Sequence, residues 1–153
     1  MNWDAVFGLT NIIALAGWVA LAALPRGPKI MALILYVGVA LLCLVYAALF
    51  VLVIGKAVDP GLVAGASGGG GFTSIGGIRA LFMSDGGVVT GWTHYLAFDL
   101  FVGLWIAKDA DHKGFSRLVQ LPFLFATLVA GPIGLLLWLI VRERRARRAA
   151  RQL

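Results

Sequence analysis

The chain has 153 residues, 61% of them hydrophobic and 13% charged, with a net charge of +6. Soluble domains carry about 25% charged residues, so this composition, with a mean hydropathy of +0.94, reads as an integral membrane protein. The basic excess does not point to nucleic acid, because six of the thirteen Lys and Arg lie between Arg142 and Arg151. Such a juxtamembrane cluster instead marks orientation and contact with anionic lipid. The length fits one transmembrane domain, residues 1–153. Cys43 is the sole cysteine, which excludes a disulfide framework and a cysteine-based zinc site.

Four apolar runs reach the roughly 20 residues that a spanning helix needs. The first covers 4–24 and carries Asp4 where a signal peptide would carry basic residues, so it reads as a retained helix. Pro25-Arg26-Gly27-Pro28-Lys29 then turns the chain into an antiparallel second run, 30–55. Between 61 and 77 lie eight glycines, four of them consecutive at Gly68 to Gly71. They read as a flexible linker outside the bilayer. No Gly-Lys-Ser/Thr follows, which excludes a phosphate loop. Residues 73–83 suit a short interfacial helix, with Ile75, Ile78, Leu81 and Phe82 on one side as a lid. The third and fourth runs cover 88–107 and 118–141, followed by the basic tail 142–153. The expected architecture is therefore all-α, an antiparallel four-helix transmembrane bundle with a Gly-rich loop and an interfacial helix between helices 2 and 3. Four crossings place both termini on one side. That side has eight basic residues against five, which predicts cytoplasmic termini in a bacterial inner membrane.

The third run is unusual because it carries His94 and Asp99 at membrane depth. Each such group costs about 2.5–3.5 kcal/mol on insertion scales, so a functional role is the default hypothesis. At about 100° per residue, His94, Phe98, Tyr95, Asp99 and Trp92 fall within about 160° of arc, and Leu96, Ala97, Leu100 and Leu104 lie opposite. This predicts an aliphatic face toward lipid and a polar pocket toward the bundle interior. His94 and Asp99 are five residues apart, too poorly aligned to bond each other, so each should meet a neighbouring helix. Counting depth brings Asn11, Tyr46, Thr127 and Pro132 into the same neighbourhood. Pro132 cannot donate to the Leu128 carbonyl, which predicts a kink. Asp109, Asp111 and His112 read as an ordinary polar loop, since a metal site would need more ligands.

Trp92-x-His94, Asp99-Leu100-Phe101, Asp109, Arg117 and Gly131-Pro132-x-Gly134 together resemble the abscisic-acid-deficient-four-like family of small four-helix membrane proteins. That family includes the plant neoxanthin synthase. The likeness covers roughly 72–142, with the first two runs matching only as apolar spans. It implies isomerase chemistry on a carotenoid epoxide, in which the ring opens and a vinylic proton leaves. Asp99 would act as acid and His94 as base, with Tyr46 or Tyr95 orienting the oxygen and Trp92 lining the pocket. The substrate, a carotenoid or other polyisoprenoid, would enter sideways through membrane lipid. No redox change occurs, and the chain shows no cofactor or nucleotide motif. Two other classes remain open, a small-solute or proton transporter and a non-catalytic accessory subunit.

Overall fold

The computed structural model describes residues 1–66 and 70–150, the side chains of 144–150 excepted. Gly68 and Gly69 of the glycine run, and the tail arginine side chains beyond Glu143, lie outside the described residues. All regular structure described is helical, in six helices. These are α1 (Trp3–Ala23), α2 (Pro28–Ile54), α3 (Ile75–Phe82), α4 (Asp85–His112), α5 (Arg117–Val129) and α6 (Gly131–Ala150). Of these, α1 and α2 are long and apolar enough to cross a membrane.

Local chemistry sets the helix starts. The Asn2 side chain accepts from the Ala5 N–H at 3.0 Å, Ser74 Oγ from Gly77 at 3.0 Å, and Ser84 Oγ from Gly87 at 3.1 Å. Each satisfies one of the donors that a helix start leaves free. Pro28 opens α2, where its missing N–H costs nothing. Within α2, residues Ile34–Ala40 are π-helical, a wider turn that often marks functional sites. The glycine-bearing connection is less free than a linker. Gly86 and Asp85 donate to the Pro60 and Gly61 carbonyls at 2.8 and 3.1 Å, and Val63 donates to Met83 at 3.0 Å. Its first part is therefore stitched to the start of α4.

Helix α4 is the axis of the molecule and packs against the other five helices. Its buried stripe is Ala97, Leu100, Leu104 and Ala107. A Cβ on Gly17 of α1 or on Gly38 of α2 would come 2.7 or 3.0 Å from Leu100 Cδ2, so both helices close on a fully buried leucine. Trp92, Tyr95 and Phe98 are instead exposed, at 43, 58 and 55%. The expected facing is thus inverted: the aliphatic arc is the core and the aromatic arc is the outer surface. Packing decides this, because Ala97, Leu100 and Gly103 admit close neighbours and large rings do not.

The fourth apolar run is also not one helix. Helix α5 ends at Val129, Ala130 leaves the helical region (φ −152°, ψ 75°), and α6 starts at Gly131. Pro132 is the second residue of α6, in a first turn that tolerates it, so it opens a helix rather than kinking one. The chain then folds back. The Trp138 ring lies 5.5 Å from Phe123 and 5.0 Å from Phe115, although 15 residues of straight helix would separate Trp138 from Phe123 by about 22 Å. Gly134 makes the crossing close, since a Cβ there would sit 2.6 Å from Thr127 Cα. Trp138 and Arg142 reach Asp109, at the end of α4 farthest from Trp3. Helix α6 therefore ends opposite the amino terminus, which overturns the expectation that both termini share a side.

Valine at position 134 would drive its methyls into the Thr127 backbone. Gly134→Val is expected to cost about 1–3 kcal/mol, as overpacking does. It should lower the thermal midpoint of the detergent-solubilised protein; an unchanged midpoint would refute the close crossing.

Candidate functional site

His94 stands on the outer side of α4, one turn before Phe98, whose ring stacks on the imidazole at 4.6 Å and 29°. Tyr46 of α2 closes the other side at 5.3 Å, and Tyr95 meets it edge-on at 6.3 Å. Tyr46 continues to Phe50, and Phe50 stacks on Phe72 at 5.9 Å. Tyr46, Phe50, Phe72, His94 and Tyr95 line an open cleft of about 340 Å³ between α2, α3 and α4, and Phe98 lies outside it. From α3 come Ile78, Leu81 and Phe82, while Ile75 points away at 81% exposure. The polar side chains among its lining residues are Tyr46, Tyr95, Thr90 and His94. Thr90 spends its hydroxyl on the Gly86 carbonyl at 2.6 Å. Among the described residues no group hydrogen-bonds the imidazole of His94, so both nitrogens are open to a ligand.

The remaining expected pocket residues are placed elsewhere. Asp99 lies against the hairpin turn, where a Cβ on Gly131 would be 2.7 Å from its carboxyl carbon. Only glycine leaves room for that carboxyl beside the start of α6. Thr127 is fully buried at the crossing and donates to the Phe123 carbonyl at 2.7 Å. Pro132 opens α6. Asn11 accepts from Trp92 Nε1 at 3.2 Å and donates to the Phe7 carbonyl at 2.7 Å, on the α1 side of α4. The structure thus joins His94 with Tyr46 and Tyr95. It does not join them with Asp99, Asn11, Trp92, Thr127 or Pro132, because on α4 Trp92 meets Asn11 of α1 and Asp99 meets the hairpin that carries Thr127 and Pro132.

A second polar group caps the opposite end. Arg26 donates to Asp111 at 3.1 Å and to Gln120, Gln120 donates to Asp111 at 2.9 Å, and Arg117 donates to the Leu24 carbonyl at 2.9 Å. Beside this, Asp109 accepts from Lys113 at 2.8 Å, Trp138 at 3.0 Å and Arg142 at 3.1 Å. Arg142 Nε also lies 2.9 Å from Asp109 Oδ2 without a hydrogen-bonding direction, so that contact is an ion pair. Arg142 covers the Trp105 ring at 5.5 Å. Burial pushes the Asp109 carboxyl up. The bonds from Lys113 and Trp138 and the charges of Arg142 and Lys113 outweigh it and hold the group below 3.8. Sequence reasoning missed Arg26, Gln120, Trp138 and Arg142 as partners. The one readable signal was two carboxylates, Asp109 and Asp111, at the end of an apolar helix, where unpaired charge is costly.

A family model described as ABA DEFICIENT 4-like matches residues 5–138, taking in α1, α2, α4 and the hairpin turn. No curated protein and no solved structure matches the chain.

A carboxyl whose folded pKa lies below its unfolded one stabilises the fold above the unfolded value, and that contribution is lost as pH falls through the folded value. Asp109→Asn should therefore melt lower than wild type at pH 7. The two midpoints should converge as pH drops below 3.8. Equal midpoints at pH 7 would refute the carboxylate clamp.

Proposed function

The chain belongs to the ABA DEFICIENT 4-like family, and on that premise we propose that it is a membrane-embedded isomerase acting on a carotenoid epoxide or a closely related polyisoprenoid. The observation that carries this reading is His94, open at both nitrogens, in an aromatic cleft with two phenols and an outward mouth. A long apolar substrate dissolved in the bilayer reaches such a mouth laterally. The aromatic walls stack on a conjugated chain. The His94 imidazole takes the vinylic proton from carbon while the epoxide carbon–oxygen bond opens. Tyr46 donates a proton to the departing oxygen, and the imidazolium returns its proton to the phenolate. Atoms and charge balance with no redox step. Asp99 then serves the hairpin turn, not the reacting atoms, which revises its expected role as acid.

The same reading makes α1, α2 and α4 the membrane crossings, with α5 and α6 entering and leaving on one side as a re-entrant hairpin. Irregular backbone at Ala130 is tolerable at membrane depth because its N–H donates to the Ala126 carbonyl at 2.8 Å and its carbonyl accepts from Ile133 at 2.9 Å, which leaves neither group unpaired. Orientation also changes. Among the described residues, Arg26, Lys29, Lys108, Lys113, Arg117 and the five arginines of 142–148 share one end, ten against Lys56 and Arg79 at the other. The positive-inside rule then places the carboxyl end in the cytoplasm and the amino terminus outside.

Two measurements test this. With a carotenoid epoxide in proteoliposomes, His94→Ala should lose about 10²–10⁴ in turnover, the usual worth of a general base. Tyr46→Phe should lose turnover as well; wild-type rates in the His94 variant would end the proposal. In a Cys43→Ala background, an impermeant maleimide added to intact cells should label Val63→Cys and spare Glu143→Cys. The reverse pattern would refute the orientation.

A further inference from the structure

At the basic end of the bundle, a hollow of about 540 Å³ opens between the start of α2 and the end of α4. Two of its charged side chains offset each other. Arg26 donates to Asp111 at 3.1 Å, and Asp111 also accepts from Gln120. Lys108 and His112 stand one turn apart on one side of α4, where both line the hollow and are exposed. Among the described residues, neither makes a hydrogen bond or an ion pair. Arg26 is also left short of an acceptor. Its side chain is 3% exposed, yet its Nη2 is buried with no hydrogen-bond partner among the described residues, a costly state for a charged group. The hollow thus holds an excess of positive charge and of unused donors.

A second hollow, of about 520 Å³, shares Leu35 and Tyr36 with the first and runs between α2 and α4 as far as Cys43 and Ala97. Apart from Tyr36 and Cys43, its lining is aliphatic or aromatic. The π-helical segment Ile34–Ala40 forms the α2 wall where the two meet. From Lys108 back to Ala97 is 11 residues of α4, about 16 Å along the helix. That is the depth of one leaflet, half of a hydrocarbon core about 30 Å thick.

We infer that these two hollows together bind one anionic phospholipid, with its headgroup phosphate on Lys108 and His112 and an acyl chain in the lower hollow. The site is separate from the His94 cleft. It rests on α2 and α4 crossing the membrane and not on the proposed reaction. Charge selects an anion, because Asp111 is already engaged by Arg26 and Gln120 while Lys108 and His112 are not engaged. The apolar continuation selects an anion that carries a tail. Inorganic phosphate would meet the donors of the upper hollow but leave the lower one to unrelated lipid. A molecule with both parts fills both, and once its headgroup is held the second contact is intramolecular. A basic hollow between crossing helices is a recurring site for such headgroups. The lipid bridges the turn that Arg26 anchors and the end of α4.

The test uses the full chain in nanodiscs of equimolar dioleoyl phosphatidylglycerol and dioleoyl phosphatidylcholine, which share their acyl chains and differ in headgroup charge. Native mass spectrometry reads the lipid that stays with the chain once the disc is removed. Wild type should retain phosphatidylglycerol over phosphatidylcholine by about 5- to 30-fold, the worth of one or two basic groups beside an anionic headgroup. Lys108→Gln/His112→Gln should bring that ratio near one. A matched loss of basic residues in the tail, Arg147→Ala/Arg148→Ala, should leave it as in wild type. N-ethylmaleimide should alkylate Cys43, in the lower hollow, more slowly in discs of phosphatidylglycerol than in discs of phosphatidylcholine. The wild-type ratio and the Cys43 rates test the site even if the double glutamine variant does not fold. A wild-type ratio near one, a ratio that survives Lys108→Gln/His112→Gln, or one that is lost with the tail arginines refutes the site. If added inorganic phosphate abolishes the preference and Cys43 reacts equally in both discs, the occupant is free phosphate and the lipid assignment fails. None of these readouts involves turnover, so they stand or fall apart from the reaction at His94.

Discussion

The return of the last apolar run onto α4 is the constraint from which the other features follow. Two carboxylates on α4 bracket it. Asp99 occupies the space that Gly131 leaves at the turn, and Asp109 gathers Trp138, Arg142 and Lys113 where the returning helix leaves the bundle. A half-buried carboxylate without partners is expensive. Asp109 has its three donors, whereas Asp99 has no hydrogen bond or ion pair among the described residues and only the space at Gly131 accommodates it. Once α5 and α6 fill that side of α4, only the side facing α2 and α3 is left for a cleft. His94 stands there.

This arrangement separates two groups that a helical wheel puts together. His94 and Asp99 share an arc of α4, but one faces a surface cleft and the other a protein junction. A wheel ranks positions by polarity and assigns the polar side to the interior. Inside an apolar chain that rule has little force, because the outer surface is as apolar as the core. Shape decides instead: Gly17, Gly38 and Gly103 let neighbours approach, so their side of α4 is buried and the rings turn outward. The aromatic surface that results suits a conjugated ligand arriving from the side better than a small solute crossing through the middle.

Much of the fold was legible in the sequence, and the exceptions have physical reasons. The apolar runs located α1, α2 and α4, and the helical spacing of Ile75, Ile78, Leu81 and Phe82 after the glycines located α3. Depth counting paired His94 with Tyr46, because the second helix is antiparallel to the third and continuous through that level. It failed for Thr127 and Pro132, because a Gly-Pro within an apolar run reads equally as a kink or as a reversal. The glycines at 131 and 134 hold the answer, but only their three-dimensional neighbours, Asp99 and Thr127, show why a side chain is missing at each. The error at Ala130 then carried over to the count of basic charge. With the tail helix moved to the other end, a narrow eight against five becomes ten against two among the described residues. The likeness to the family was sound, and the match, over residues 5–138, takes in the first two helices as well while ending four residues short of Arg142.

The folded-back hairpin can be measured directly. Spin labels at Val119→Cys in α5 and Ile140→Cys in α6, in a Cys43→Ala background, report their separation by pulsed dipolar spectroscopy in nanodiscs. Folding back at Ala130 predicts a distance below about 25 Å, whereas 21 residues of unbroken helix would hold the labels about 32 Å apart. A distribution centred at the longer value would contradict the hairpin, and with it the placement of Asp99, the open side of α4 and the orientation of the chain.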